Sequence, residues 1–212
     1  MKATISIQRC AGLVAAVALA GAFAVPAVAQ TAPSVMKMST ATINDAQHEW
    51  MKIFGAAVEK GSNGRIKAEI YPASQLGTIP RMIEGTQFGS IQAWIGPPEF
   101  LTGVDSRYEV LSVPGVFKDA VHFSRTFQDP EFSAAFLSVG ANRGLKGLGI
   151  WISGPLTLNM RTPVRRLADL DGKKIRVLAS PMQNEQMRLL KATAVPMSLG
   201  EVMPALQQGA ID

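Results

Sequence analysis

The side chains that most often carry metal or nucleophile chemistry are scarce in this chain. Its 212 residues include two histidines, His48 and His122, and one cysteine, Cys10. A zinc site needs three or four such ligands, and a thiol nucleophile needs a histidine base beside it. Neither histidine is spaced to pair with an acid or a nucleophile. We therefore interpret both as surface or capping residues and predict no metal or other cofactor.

Arginine offers a different chemistry, the recognition of anions. The densest basic cluster contains Arg161, Arg165 and Arg166. It is too short to follow a polyphosphate backbone, and no aromatic residues are interleaved with it. We interpret this cluster as part of a solvated loop and, despite a net charge of +5, predict no nucleic-acid partner.

The N-terminus has the pattern of a secretory signal peptide. Lys2 and Arg9 form a basic segment at the N-terminus, and an uncharged alanine-rich stretch follows over residues 11–25. Small residues then stand at Ala27 and Ala29. The apolar stretch is shorter than the ~20 residues that span a membrane. We predict cleavage after Ala29 and export to the periplasm. The mature chain then has no cysteine and a net charge of +3.

The mature chain alternates strand-like and helix-like segments. Strands are predicted over residues 35–40, 66–70 and 91–95, and helices begin after Asn44 and at Pro80. This βαβαβ order is typical of a parallel sheet with right-handed crossovers. In such sheets ligands bind in loops at the carboxyl ends of the strands.

The second half of the chain continues this α/β pattern. Short strands are predicted over residues 148–151 and 174–177, and helices begin at Pro181 and Gly200. Residues 210–211 have the apolar character of a further strand, directly before the sequence stops. We interpret this as an interrupted domain.

Four short motifs follow one another along the mature chain. They read EIYPASQLG at residues 69–77, LSVPGVF at 111–117, LADLDGKKIRV at 167–177 and GEVMPALQQGAID at 200–212. One motif alone is weakly specific. In this order and behind a signal peptide, the four resemble the periplasmic solute-binding subunits of TRAP transporters, the DctP-like family, over essentially the whole mature chain.

The resemblance implies a fold and a domain organisation. The fold is α/β, a two-lobe periplasmic binding protein of a type II-like kind whose hinged lobes close on a ligand. The domains implied are a signal peptide at 1–29, lobe I at 30–150 and a partial lobe II at 151–212. Because the family chain later returns to its first lobe and adds a long helix, the resemblance also implies that the C-terminal part of the fold is missing.

The resemblance also implies a function, which is the capture of a small organic acid. Proteins of this family deliver the acid to TRAP permease subunits in the membrane, which use an ion gradient. We expect a monomer without enzymatic activity. The alternative is a secreted enzyme similar to an α/β hydrolase, which would need a nucleophile elbow of the form G-x-S-x-G, and the sequence contains none.

One arginine is the main binding residue that the resemblance implies. In the family, the arginine of the third motif pairs with the ligand carboxylate, and Arg176 occupies that position. Its planar guanidinium can meet a carboxylate through two parallel hydrogen bonds.

Four further positions complete the implied substrate-binding set. Leu156 stands where family members often carry a second arginine, and Leu199 stands where they often carry an aromatic residue. Pro97 follows the third strand, where some members carry an acid. Trp94, on that strand, is expected to reach the cleft. These residues predict a more apolar pocket than that of the sialic-acid binders.

Overall fold

The computed structural model describes residues 32–178 and 180–212, and the signal peptide predicted over residues 1–29 lies outside them. Strands and helices alternate along the chain, with short 3-10 helices between some of them. The strands are β1 (Ser34–Thr40), β2 (Ile66–Tyr71), β3 (Ala93–Ile95), β4 (Lys174–Val177) and β5 (Thr193–Pro196). The helices are α1 (Ala46–Gly61), α2 (Ile79–Gln87), α3 (Ala120–Gln128), α4 (Pro130–Leu137), α5 (Pro181–Leu189) and α6 (Leu199–Gln207).

The predicted βαβαβ unit is confirmed as a three-stranded parallel sheet. Its strand order is β2-β1-β3, with β1 paired to both neighbours. Ser39 and Thr40 at the end of β1 are 0% exposed, because β1 is the central strand and both α1 and α2 pack against it. Thr40 pairs with Ile95, so the carboxyl ends of β1 and β3 lie side by side.

Capping residues fix where the helices begin. At the start of α1, Asp45 Oδ1 accepts a hydrogen bond from the His48 backbone N–H at 3.0 Å, which satisfies one of the free donors of the first turn. The imidazole Nδ1 of His48 accepts from the Asn44 N–H at 3.2 Å. His122 does the same for the Lys118 N–H before α3. The interpretation of both histidines as capping residues is confirmed.

A second parallel sheet consists of β4 and β5, with Arg176 opposite Val195. Strand β4 matches the sequence prediction, whereas β5 was not predicted. The sheet is covered by its own core, formed by Leu170, Ile175, Val177, Met187 and Ala192. The helix predicted at Pro181 is α5, and the helix predicted at Gly200 is α6.

Two predicted strands are wrong. Residues 145–160 have no regular secondary structure, and residues 210–211 are not part of a strand. A strand needs a neighbour to accept its backbone hydrogen bonds, and no described segment pairs with residues 148–151. Trp151 instead stacks on Trp50 of α1, with ring centroids 5.2 Å apart. Near residues 210–211, the Asp212 N–H donates to Lys174 O, and Asp212 O accepts from the Arg161 N–H, without forming a ladder.

An aromatic cluster lies between the two sheets in the sequence. Phe117, Phe123 and Phe127 contact one another and continue to Phe136, which packs edge-on against Tyr108 at 5.6 Å. This cluster packs α3 and α4 together, and neither helix was predicted. Within residues 32–178 and 180–212, no helix is both long and apolar enough to cross a membrane.

Candidate functional site

A cavity of about 160 Å³ lies at the carboxyl ends of the strands. Directly after β1, β3 and β4 it is lined by Ala41, Thr42, Gly96, Pro97 and Leu178. After β5 it is lined by Leu199, the first residue of α6. Parallel sheets place their ligand loops at this end. The cavity therefore occupies the position that the βαβαβ pattern predicts for a ligand site, and residues from both sheets form its wall.

Four of the five predicted binding residues meet at this cavity. Arg176, Trp94, Pro97 and Leu199 all line it. Leu156 does not, because it lies in the irregular segment at 145–160 and is 78% exposed. The structure thus brings together residues that are about 80 to 100 positions apart in the sequence, while their roles toward a ligand remain predictions.

Arg176 is a half-buried cation for which no described residue supplies a counter-ion. Its Nε donates to the backbone oxygen of Met197 at 3.1 Å. No described carboxylate forms a salt bridge with it, and its two terminal nitrogens donate to no described residue. Burial lowers the pKa of Arg176 below its usual range, because desolvation penalises the charged form. A buried charge of this kind calls for an anion.

A polar side of the cavity was missed by the sequence analysis. Gln47, in the first turn of α1, and Thr42, directly after β1, both line the cavity. The fully buried Thr40 donates its hydroxyl proton to Gln47 Oε1 at 2.9 Å. Thr42 and Gln47 follow the strand predicted over residues 35–40. That position was the sequence signal that could have identified them, since ligands bind at the carboxyl ends of parallel strands.

The apolar side is built around Trp94. Its indole ring lies so close to Gly96 that a Cβ at position 96 would stand 2.4 Å from Cζ2. A residue with a side chain at position 96 would clash with the indole ring, so glycine is required there. Ile79 and Phe100 complete this wall. The Trp94 Nε1 is buried and has no hydrogen-bond partner among the described residues.

A buried junction joins the 3-10 helix Ser106–Ser112 to α5. Glu109 Oε1 accepts from Ser180 Oγ at 2.6 Å and from the Met182 N–H at 2.5 Å. Gln186 Nε2 donates to Ser112 O at 2.7 Å. The N-cap of α5 is Ser180, which accepts from the Gln183 N–H. Glu109 adds an acceptor at the first turn of this helix, where the helix dipole favours an anion.

A second acid lies beside this junction. Burial raises the pKa of Glu99 above its usual range, and the nearby charge of Glu109 adds to this effect. Across the part of the chain that the structure describes, no group of three or more His, Cys, Asp or Glu side chains is arranged to bind a metal ion.

A larger groove of about 420 Å³ runs along α2. Lys37, Arg81 and Glu84 line it with charges of both signs, and Phe88 at its rim is 82% exposed. None of the predicted binding residues lines this groove. We therefore place the candidate site at the smaller cavity, where Arg176 lies without a carboxylate partner among the described residues.

The family is now clear from both sequence and fold. The DctP family profile, described as bacterial extracellular solute-binding protein, family 7, matches residues 38–212. The chain belongs to this family, and the resemblance to DctP-like TRAP solute-binding subunits is confirmed.

Among curated relatives, the C4-dicarboxylate-binding periplasmic protein DctP of Rhodobacter capsulatus is 33% identical over 207 residues, covering 94% of this chain and 60% of the relative. The chain spans 51 to 60% of the length of this and three other curated relatives.

Solved structures support the two-lobe α/β fold. A TRAP periplasmic solute-binding protein from Xanthobacter autotrophicus Py2, with bound β-D-galacturonate, matches with a TM-score of 0.79 and 31% identity, covering 84% of this chain and 59% of that one. A second from Pseudomonas aeruginosa PAO1, with bound L-malate, matches with a TM-score of 0.80 and 26% identity, covering 85% and 63%. The predicted fold class is confirmed.

Proposed function

We propose that this protein captures a small organic acid outside the cytoplasm and delivers it to an ion-gradient-driven TRAP permease. The observation that carries the proposal is Arg176, a half-buried cation without a described carboxylate partner, at a cavity on the carboxyl ends of the strands. A ligand carboxylate would supply the missing counter-ion through two parallel hydrogen bonds.

The relatives support this chemistry through what they bind. The Rhodobacter protein is named for C4-dicarboxylates, and the two solved structures hold galacturonate and malate. Each of these ligands carries a carboxylate. The proposal extends that shared group, and no particular acid, to the cavity around Arg176.

The proposed lobes account for the position of the cavity. Thr42, Gln47, Trp94 and Pro97 belong to the proposed lobe I at 30–150, and Arg176 belongs to the proposed lobe II at 151–212. A ligand held between them would contact both lobes, as in binding proteins that close by a hinge. The polar lining groups can hold an acid through hydrogen bonds, so we propose binding without turnover.

A calorimetric panel tests the proposal on the full chain. We expect at least one acid among D-galacturonate, L-malate, succinate, D-gluconate and orotate to bind with micromolar or tighter affinity. D-galactose is the matched control for galacturonate, since it lacks the carboxylate, and it should not bind. Chromatography of the incubated acid should show no product, and light scattering of the sample should give a monomer.

The panel can also contradict the proposal. Equal affinity for galactose and galacturonate, or conversion of an acid to a product, would do so. A failure of every acid to bind would do so as well, provided that the protein shows a cooperative thermal transition.

Export follows from the signal peptide that we propose over residues 1–29. Signal peptidase requires small residues such as Ala27 and Ala29 before the cleavage site. N-terminal sequencing of the protein from the periplasmic fraction should therefore begin at Gln30. Recovery of intact residues 1–29 on membrane-bound protein would contradict this prediction.

A further inference from the structure

One side chain at the cavity has an unused hydrogen-bond donor in a fixed position. Gln47 lines the cavity, and its Oε1 accepts from the Thr40 hydroxyl at 2.9 Å. Its Nε2 donates to no residue that the structure describes. The amide group of a glutamine carries its acceptor and its donors on opposite sides. With Oε1 held by Thr40, the donors of Nε2 are left for another partner.

Thr40 is a rigid support for this arrangement. Its side chain is 0% exposed, at the end of the central strand β1. Thr40 Oγ1 also accepts a long hydrogen bond from the Thr42 N–H at 3.5 Å and lies 3.3 Å from Thr42 Oγ1. A hydroxyl has only one proton to donate, and here Gln47 receives it. The orientation of the Gln47 amide is therefore set from within the sheet.

The charges around the cavity limit what Nε2 can bind. Among the described lining residues, Arg176 is a cation and none is an acid. A ligand ammonium group would find no carboxylate to replace its hydration, which is costly in a partly buried site. A second ligand carboxylate would meet only neutral donors at Gln47 and Thr42. No second cation among the described lining residues would offset the desolvation of that carboxylate, whereas an uncharged oxygen, such as a hydroxyl or a keto oxygen, avoids this cost.

The cavity has room for a short acid. At about 160 Å³ it is close to the roughly 150 Å³ of an engineered protein cavity that accepts benzene, a molecule of six non-hydrogen atoms. A short acid fits such a space. Because Arg176 and Gln47 line the same cavity, we expect the oxygen that Gln47 binds to be within a few bonds of the carboxylate.

We propose that Gln47, positioned by Thr40, is a specificity-determining residue that selects acids with a hydroxyl or keto oxygen close to the carboxylate over the same acids without it. This inference rests on the proposed function, because Arg176 must first hold the carboxylate. Arg176 then supplies the general affinity for acids, and Gln47 supplies the selection among them.

Paired ligands test the proposal by calorimetry on the full chain. L-lactate is compared with propionate, L-malate with succinate, and the tightest acid of the panel with its deoxy analogue. In the wild-type protein the hydroxylated member should bind about three- to tenfold tighter, as one net hydrogen bond allows. In Gln47→Ala that ratio should fall to about one, with little change for the deoxy acid.

Three further variants separate selection from packing. Thr40→Val should reduce the ratio, because it frees the Gln47 amide, and Thr40→Ser should restore it. Gln128→Ala, at an exposed position at the end of α3, is the matched control and should leave every affinity unchanged. Circular dichroism checks that each variant is folded.

The outcomes distinguish this proposal from the proposed function. If Gln47→Ala keeps the wild-type ratio, if it weakens both members of a pair equally, or if the tightest acid has no hydroxyl or keto oxygen, the role of Gln47 is wrong while acid binding stands. If no acid binds to the folded wild-type protein, both proposals fail together.

Discussion

Replacing Arg176 with alanine is expected to lower the affinity for the tightest acid by about thirty- to several-thousand-fold. The half-buried guanidinium has no described carboxylate partner of its own, so a bound ligand would be its counter-ion. Without the arginine, the ligand carboxylate would be desolvated and unpaired. Losing one partner of a buried charged pair costs roughly 2–5 kcal/mol. Calorimetry on the full chain measures the change.

Two variants sharpen this test. Arg176→Lys should recover only part of the affinity, because an ammonium keeps the charge but lacks the planar fork. Arg165→Ala removes an exposed arginine from the solvated connection before β4 and should leave the affinity unchanged. If folded Arg176→Ala binds the tightest acid within threefold of the wild type, Arg176 does not hold the carboxylate.

Glu109→Ala is expected to destabilise the folded protein by about 1.5–3 kcal/mol, the range for hydrogen bonds to a charged group. The substitution removes the shared acceptor of Ser180 Oγ and the Met182 N–H. The first turn of α5 then loses an acceptor for the Met182 N–H, although Ser180 still caps the Gln183 N–H. The contact with the 3-10 helix Ser106–Ser112 is weakened. For a chain of this size, the melting temperature should fall by roughly 3–12 °C.

The control for Glu109 is on α5, the helix whose first turn it contacts. Glu185 pairs with Arg188 on the exposed side of α5, where its side chain is 48% exposed. Glu185→Ala should change stability by less than about 0.5 kcal/mol. Glu109→Gln keeps an accepting oxygen and should retain most of the stability. If Glu109→Ala unfolds at the same urea concentration as the wild type, the junction contributes nothing to stability.

Local patterns predicted the first sheet well. The alternation of Ile66, Ala68 and Ile70 with charged residues matches β2, and Pro80 lies in the first turn of α2. These signals involve only residues that are close together in the sequence, so the sequence alone is enough to recognise them. The family motif also placed Arg176 on a strand, and that strand is β4.

Features that depend on distant partners were not predictable in this way. The junction of Glu109 requires Ser180 at a separation of 71 residues, and the proposed role of Gln47 requires the Thr40 hydroxyl across the loop from β1 to α1. Helix α3 has no buried residue and is held by aromatic contacts, such as that of Phe127 with Phe136 of α4. The prediction of a strand at residues 148–151 was wrong because an apolar run alone cannot show whether a neighbouring strand is present.

The parallel arrangement of the two sheets bears on how binding preference can evolve. Arg176 is within the β4 ladder, so the backbone that presents it is fixed by pairing with β5. Gln47, Pro97 and Leu199 lie beyond the strand ends, where substitutions remove no ladder hydrogen bond. Under the proposed binding role of this cavity, mutations at these positions change ligand preference while the core is retained. After gene duplication, one copy can come to bind a different ligand through a few substitutions that the fold tolerates.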